Sequence, residues 1–267
     1  MSEPSLPNYS ALLQTGPRSR PLAKKILGLL LKNGKELHHT ADETLKKLFP
    51  GLSKEKIEDM KSKVSDNVSL LERYNFIERE RPIRLKYKTP LCWIANTPGV
   101  LFAYLGLLGT RKYEISETET AIKLLKEAGI NPERIVVVTS QEAIGDWARR
   151  IDPNLKIEWH TMDDKKELSD IDKFEERIKQ KVIELMKDYI LIMDLTSGPR
   201  PAGIAFHKLA LQFKVPLIYV YEPEKRLRWL ISKEELAKEI GSVFYIEPEE
   251  KVEKGEPTKA RKRVVIY

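Results

Sequence analysis

The spacing of apolar side chains changes rhythm twice along the 267 residues. From Pro21 to Leu71 they return every three or four positions. Leu22, Ile26, Leu29 and Leu30 form one set, Leu45, Leu48 and Phe49 a second, and Ile57, Met60, Val64, Val68 and Leu71 a third. Such spacing places each set on one helix face and predicts three amphipathic helices. Pro21 suits a first helical turn, Asn33-Gly34 and Pro50-Gly51 stop two of the helices, and Ser53 is an N-cap for the third. The period then falls to two. Residues 76–80 and 83–88 alternate apolar with charged side chains around Arg81-Pro82, which predicts a hairpin.

From about residue 91 short apolar runs alternate with long amphipathic stretches. Strands are expected at 100–105, 135–138, 156–160, 189–193 and 216–221. Helices are expected at 116–128, closed by Gly129, and at 140–150, 171–187 and 202–213. Buried strands alternating with helices imply an α/β fold, a Rossmann-like doubly wound and mainly parallel sheet. A last helix is expected at 233–240, with a closing hairpin of 242–246 and 263–266. The expected organisation is a loose arm at 1–20, punctuated by Pro4, Pro7, Gly16 and Pro17, a helix–hairpin module at 21–90, the sheet domain at 91–247, and a tail or closing hairpin at 248–267.

Composition narrows the function classes. With 41% hydrophobic and 33% charged residues, the chain is neither a disordered polyelectrolyte nor a membrane protein. Its longest apolar run, 101–108, falls far short of the roughly 20 residues that span a bilayer. The start, MSEPSLPNYS, lacks a signal peptide's basic and apolar segments, so a cytoplasmic protein is expected. The single cysteine, Cys92, excludes an internal disulfide and argues against a cysteine zinc site. His38, His39, His160 and His207 show no metal-helix spacing, and no metal or cofactor is expected. The net charge of +7 is uneven: residues 1–89 carry +7 and residues 90–247 carry −2. A polyanion contact is therefore expected first in the amino-terminal third, the equal alternative being the solvated surface of a lysine-rich chain.

The chemically informative segment is Asp194-Leu195-Thr196-Ser197-Gly198-Pro199-Arg200, where an apolar strand gives way to a helix. A helix start offers unpaired N–H groups and the positive end of the helix dipole, which suit an anion. Gly198 allows close backbone approach, Thr196 and Ser197 supply hydroxyls, and Arg200 supplies a bidentate fork. The spacing matches neither the Walker A loop nor the dinucleotide fingerprint. The structural alternative is a turn in which Asp194 caps the following helix, which leaves Arg200 unexplained.

At these residues the chain resembles the CARF family (CRISPR-associated Rossmann fold), whose hallmark at this strand end reads Asp-x-Thr-Gly-Gly-Thr-Lys. The resemblance covers roughly residues 98–222. It is supported by the glycine loop from Leu105 to Tyr113, by Thr139-Ser140 at the end of the second strand, and by Asp163-Asp164 before the long helix. It implies binding of a cyclic oligoadenylate, usually the tetra-adenylate messenger of type III CRISPR immunity, by a homodimer. Carried over, Gly106, Gly109 and Thr110 line a first loop, Thr139 and Ser140 a second, and Asp194, Thr196, Ser197, Gly198 and Arg200 a third. Pro199 departs from the family pattern and, with Pro201, removes two amide donors; Arg200 replaces a lysine. Family members that cleave the ring do so without a metal, by attack of a 2′-hydroxyl on the adjacent phosphate. In that alternative Arg200 stabilises charge and Ser197, Thr110 or Ser140 orients the hydroxyl.

The stretch SLLERYNFIERERPIRLKYKTP, within Pro21 to Pro90, resembles the end of the recognition helix and the wing of a winged helix-turn-helix. That implies DNA as a partner through residues 21–90, or else a packing or dimerisation role. Glu55, Glu58, Asp59, Asp66 and Glu72 stand among the lysines of the third helix, where a groove-reading helix usually offers a cleaner basic face. A third reading is a winged-helix repressor answering to an unrelated small anion.

Overall fold

The computed structural model describes residues 6–14, 20–34, 36–37, 41–80, 82–110 and 115–244. His38, His39, Arg111 to Tyr113, the strand partners beyond residue 244 and the tail at 248–267 lie outside the described residues.

Part of the expected loose arm is ordered. Tyr9–Leu13 forms a short helix, α1, whose N-cap Asn8 accepts from the Ala11 amide at 3.1 Å. Leu12 is fully buried, and the Tyr9 ring meets the edge of Phe76 at 5.6 Å. Five residues are too few to propagate a helix alone, so packing sustains α1. The three expected helices follow as α2 (Pro21–Lys32), α3 (Ala41–Leu48) and α4 (Lys54–Arg73), the last with Ser53 as N-cap. Strand β1 (Glu36–Leu37) lies between α2 and α3. The expected hairpin is β2 (Ile77–Glu78) and β3 (Ile83–Leu85). Together they make an antiparallel sheet in the order β1-β3-β2. A two-residue β1 offers no alternation to read, which is why the sequence did not announce it.

After a single helical turn, α5 (Leu91–Ile94), comes the large sheet. Its strands are β4 (Phe102–Leu107), β5 (Pro132–Ser140), β6 (Glu158–Met162), β7 (Ile190–Asp194), β8 (Leu217–Tyr221) and β9 (Arg226–Ile231). The crossovers are α6 (Glu117–Glu127), α7 (Gln141–Trp147), α8 (Ile171–Asp188) and α9 (Arg200–Phe213), and α10 (Lys233–Ile240) follows the last strand. The order is β6-β5-β4-β7-β8-β9, parallel except for β9. This is the expected Rossmann-like, doubly wound architecture.

Three local expectations change. The run 222–226, where no element was expected, is a tight turn into antiparallel β9. Lys156 adopts a left-handed conformation, φ 46°, so the third strand starts at Glu158. Ser242 and Val243 belong to a 3-10 turn rather than a strand.

Leu217 and Ile231 sit in one apolar cluster with Ala202, Ala205 and Phe206 of α9. Ile218 and Val220 sit in the other, with Ala121 and Ile122 of α6 and Trp147 of α7. Helices therefore cover both sheet faces, as alternation along a strand requires. The first cluster continues without a break through Met186, Leu91 and Leu85 into Leu71, Leu30 and Leu12. The amino-terminal helices and the sheet thus share one core. Thr89 stitches the seam: its hydroxyl donates to the Tyr189 carbonyl (3.0 Å) and accepts from the Leu191 amide (2.7 Å).

From β4 the chain winds outward to β5 and β6, then returns to lay β7 on the other side of β4. The winding reverses between β4 and β7. The carboxyl ends of strands at such a reversal are where α/β sheets take ligands.

Candidate functional site

The candidate site lies at the reversal point, between the ends of β4 and β7, and its floor is a chain of buried polar contacts. Gly106 pairs with Asp194 across the two strands. Tyr104, two residues earlier on the same strand face, extends over Gly106 and donates its hydroxyl to Asp194 Oδ2 at 2.6 Å. A Cβ on Gly106 would fall 2.3 Å from the Tyr104 hydroxyl. Gly106, itself buried, is therefore the space through which Tyr104 reaches Asp194. Asp194, 1% exposed, also accepts from the Thr196 amide at 2.9 Å and from the Thr196 hydroxyl. Thr196 Oγ1 in turn accepts from the Val220 amide at 2.8 Å, tying the loop to β8.

Burial in this setting favours the neutral acid. Desolvation pushes Asp194 up to about 6, opposed by its bonds from Thr196 and Tyr104. Burial, then the charge of Asp194, raises the Tyr104 phenol well above its ordinary value.

A second support stands on the β5 side. Thr139, fully buried, donates its hydroxyl to the Leu108 carbonyl at 2.6 Å. Ser140, 5% exposed, is the N-cap of α7, accepting from the Ala143 amide at 3.2 Å. The buried Trp147 of α7 donates its indole N–H to the Gly109 carbonyl at 3.0 Å. The Gly109 amide donates to Ser197 Oγ at 3.1 Å, which joins the first loop to the third.

The rim is different. Gly198 has φ +93° and a Cβ there would meet Leu107 Cβ at 3.0 Å, so both conformation and space require glycine. Thr110, Gly198 and Arg200 are exposed, and Ser197 is half-buried. Helix α9 begins at Arg200 with Pro199 as N-cap and no side-chain cap. Among the described residues nothing accepts from the Arg200 or Ala202 amides, as expected for an uncapped first turn. The rim gathers one guanidinium, two hydroxyls and helix-terminal amides. Such a set of donors suits an anion.

The expected site residues divide accordingly. Thr110, Ser197, Gly198 and Arg200 meet at the open edge. Gly109 stands between, with its amide and carbonyl both engaged. Gly106, Thr139, Ser140, Asp194 and Thr196 turn their polar groups inward and shape the loops. Asp194 does not cap α9; it fastens Thr196 two residues on. Asp163 closes a turn, accepting from the Lys166 amide at 2.9 Å, ahead of α8. Tyr104 and Trp147 were missed as site residues. The period-two spacing of Tyr104 and Gly106 is a readable signal for the first. Nothing in the sequence joins Trp147 to Gly109.

No protein-family model matches the chain, and no curated protein matches it. Among solved structures it is similar to Can2 from Sulfobacillus thermosulfidooxidans in complex with cyclic tetra-adenylate, at 15% identity and a TM-score of 0.37 over 49% of this chain and 35% of that one. It is similar also to Enterococcus italicus Csm6 bound to cyclic hexa-2′-fluoro-hexa-dAMP (14% identity, TM-score 0.37, 54% of this chain and 39% of that one). A third likeness is to protein VC1899 from Vibrio cholerae (10% identity, TM-score 0.40, 49% of this chain and 34% of that one). The chain spans well under half the length of each. Likeness of this degree bears on neither ligand nor activity.

Proposed function

We propose that the β4–β7 edge binds a cyclic oligoadenylate, with cyclic tetra-adenylate the first ring to test, and that the chain acts as a sensor in type III CRISPR immunity. The observation that carries this reading is the 194–200 loop. Its order of residues resembles the CARF motif, and its open donors stand at the reversal point of the sheet. In this reading the protein works as a homodimer, because a ring with rotational symmetry suits the same edge presented twice.

Residues 21–90 are read as a winged helix-turn-helix coupled to that edge, supported by the succession of α2, β1, α3, α4, β2 and β3. The excess charge of the amino-terminal third favours DNA as its partner. Within the module Arg79 donates to Ser69 Oγ at 2.7 Å and Ser65 Oγ at 3.2 Å, so the wing is pinned along α4.

Ring cleavage is the second reading. It rests on Arg200 and Ser197 sharing the rim, where a guanidinium stabilises charge on a phosphate while a hydroxyl orients the attacking 2′-oxygen.

Calorimetric titration with cyclic tetra- and hexa-adenylate tests the sensor. Binding that Arg200→Ala abolishes supports it, and no heat with either ring ends it. Incubating the ring with protein in EDTA tests cleavage, which yields a linear product ending in a cyclic phosphate. Anisotropy of labelled duplex DNA across a salt series, with and without the ring, tests the coupling.

A further inference from the structure

The turn at 222–225 folds β9 back antiparallel on β8, the neighbour of β7, so that tyrosines of β8 and arginines of β9 share one sheet face. Leu195 donates its amide to the Ile218 carbonyl (3.2 Å), and Val220 donates to Thr196 Oγ1 (2.8 Å). The end of β8 is thus sewn to the loop that ends in Arg200. Strand alternation settles which way its side chains face. Ile218 and Val220 pack toward α6, so Tyr219 and Tyr221 face the side occupied by α9. On β9, Leu227 and Trp229 share the α6 side, and Arg226 and Arg228 share the other. The register sets Tyr221 directly opposite Arg226 and Tyr219 opposite Arg228.

Tyr221 is 42% exposed at the end of a strand whose only other partly open residue is Tyr219, and Arg226 and Arg228 are exposed beside it. The only ion pair among the described residues for Arg226 is with Glu224 at 4.0 Å, the limit of contact. A single exposed tyrosine at a sheet edge needs no explanation. Two tyrosines, each with an arginine across the strand, on the sheet face that α9 covers and one strand from the loop leading into its uncapped start, form a patterned surface. A nucleotide offers the complementary pattern: a phosphate for the helix start and a flat base one sugar away.

We propose that Tyr221, backed by Arg226, is a stacking platform for a nucleobase whose phosphate is held at Ser197, Gly198 and Arg200. This rests on the oligoadenylate reading and deepens it by assigning base recognition to the β8–β9 hairpin. An aromatic ring gains most from a large purine, and a guanidinium adds stacking and charge. The hairpin therefore favours adenine rings over uracil rings of equal charge.

The test compares cyclic tetra-adenylate with cyclic tetra-uridylate on the full chain by calorimetry. The wild type is expected to prefer the adenylate ring. Tyr221→Ala is expected to weaken adenylate binding about tenfold, leaving the uridylate ring nearly unchanged, while Tyr221→Phe binds as wild type. Arg200→Ala is expected to lose both rings. Undiminished adenylate binding by Tyr221→Ala overturns the platform and leaves the ligand reading standing, as does an equal loss of both rings. A wild type that binds neither ring removes the ligand reading, and the platform with it.

Discussion

Floor and rim of the strand-end site use similar residue types in opposite ways. On the floor, Tyr104, Thr139 and Asp194 direct their polar atoms at one another or at nearby backbone, and each is at most 1% exposed. On the rim, Thr110, Gly198 and Arg200 are open to water, and the helix behind them starts without a cap. Buried polar groups are costly when unpaired, so a change in the floor should register as lost stability. Exposed groups contribute little to folding, so a change in the rim should register only when a ligand is present. The lesson is that a conserved-looking motif letter at a strand end says little about which task it performs; burial decides.

The strongest way to break this division is Gly106→Ala. The new methyl would occupy the space of the Tyr104 ring, and overpacking with a displaced hydrogen bond should cost about 3 kcal/mol in urea unfolding. A change under about 1 kcal/mol would mean that the tyrosine has another route. Next comes pH. The folded carboxyl of Asp194 titrates near 6, above the roughly 3.9 of an unfolded aspartate. The native state therefore holds the extra proton between about pH 4 and 6. Its stabilising contribution is complete below pH 4 and is lost as pH rises through 6, on the order of 3 kcal/mol. Asp194→Asn should flatten that part of the stability profile, and an unchanged slope would count against the buried acid.

Tyr104→Phe should cost about 1–2 kcal/mol by removing one donor from Asp194, with faster hydrogen exchange at the amides of Thr196 and Val220. Arg200→Ala is the mildest change for the fold, within about 0.5 kcal/mol, yet under the proposed function it abolishes ring binding. A destabilisation as large as that of Tyr104→Phe would blur the line between the two layers.

Much of this was legible in the order of residues. Apolar runs between amphipathic stretches announced the doubly wound sheet, and the Asp194 to Arg200 segment stood out because a strand, a glycine and a cation met at one turn. What escaped was cross-strand information. Tyr104 reads as another core residue of an apolar strand, and only the pairing of Gly106 with Asp194 reveals where its hydroxyl goes. Strand β9 alternates as Arg-Leu-Arg-Trp-Leu, but the Pro223-Glu224-Lys225 before it has the composition of a solvated loop. Helix α1 is too short to show a period and depends on Phe76 and the 241–243 turn, more than sixty residues away.

The seam at Thr89 has a mechanical consequence. Because one oil-filled interior runs from the first helix past the last strand, neither half is a detachable part. Severed near residue 90, each fragment would turn a raw apolar wall to water. Left whole, the two halves share a single solvent-free interior, and cutting between them removes the cover from both.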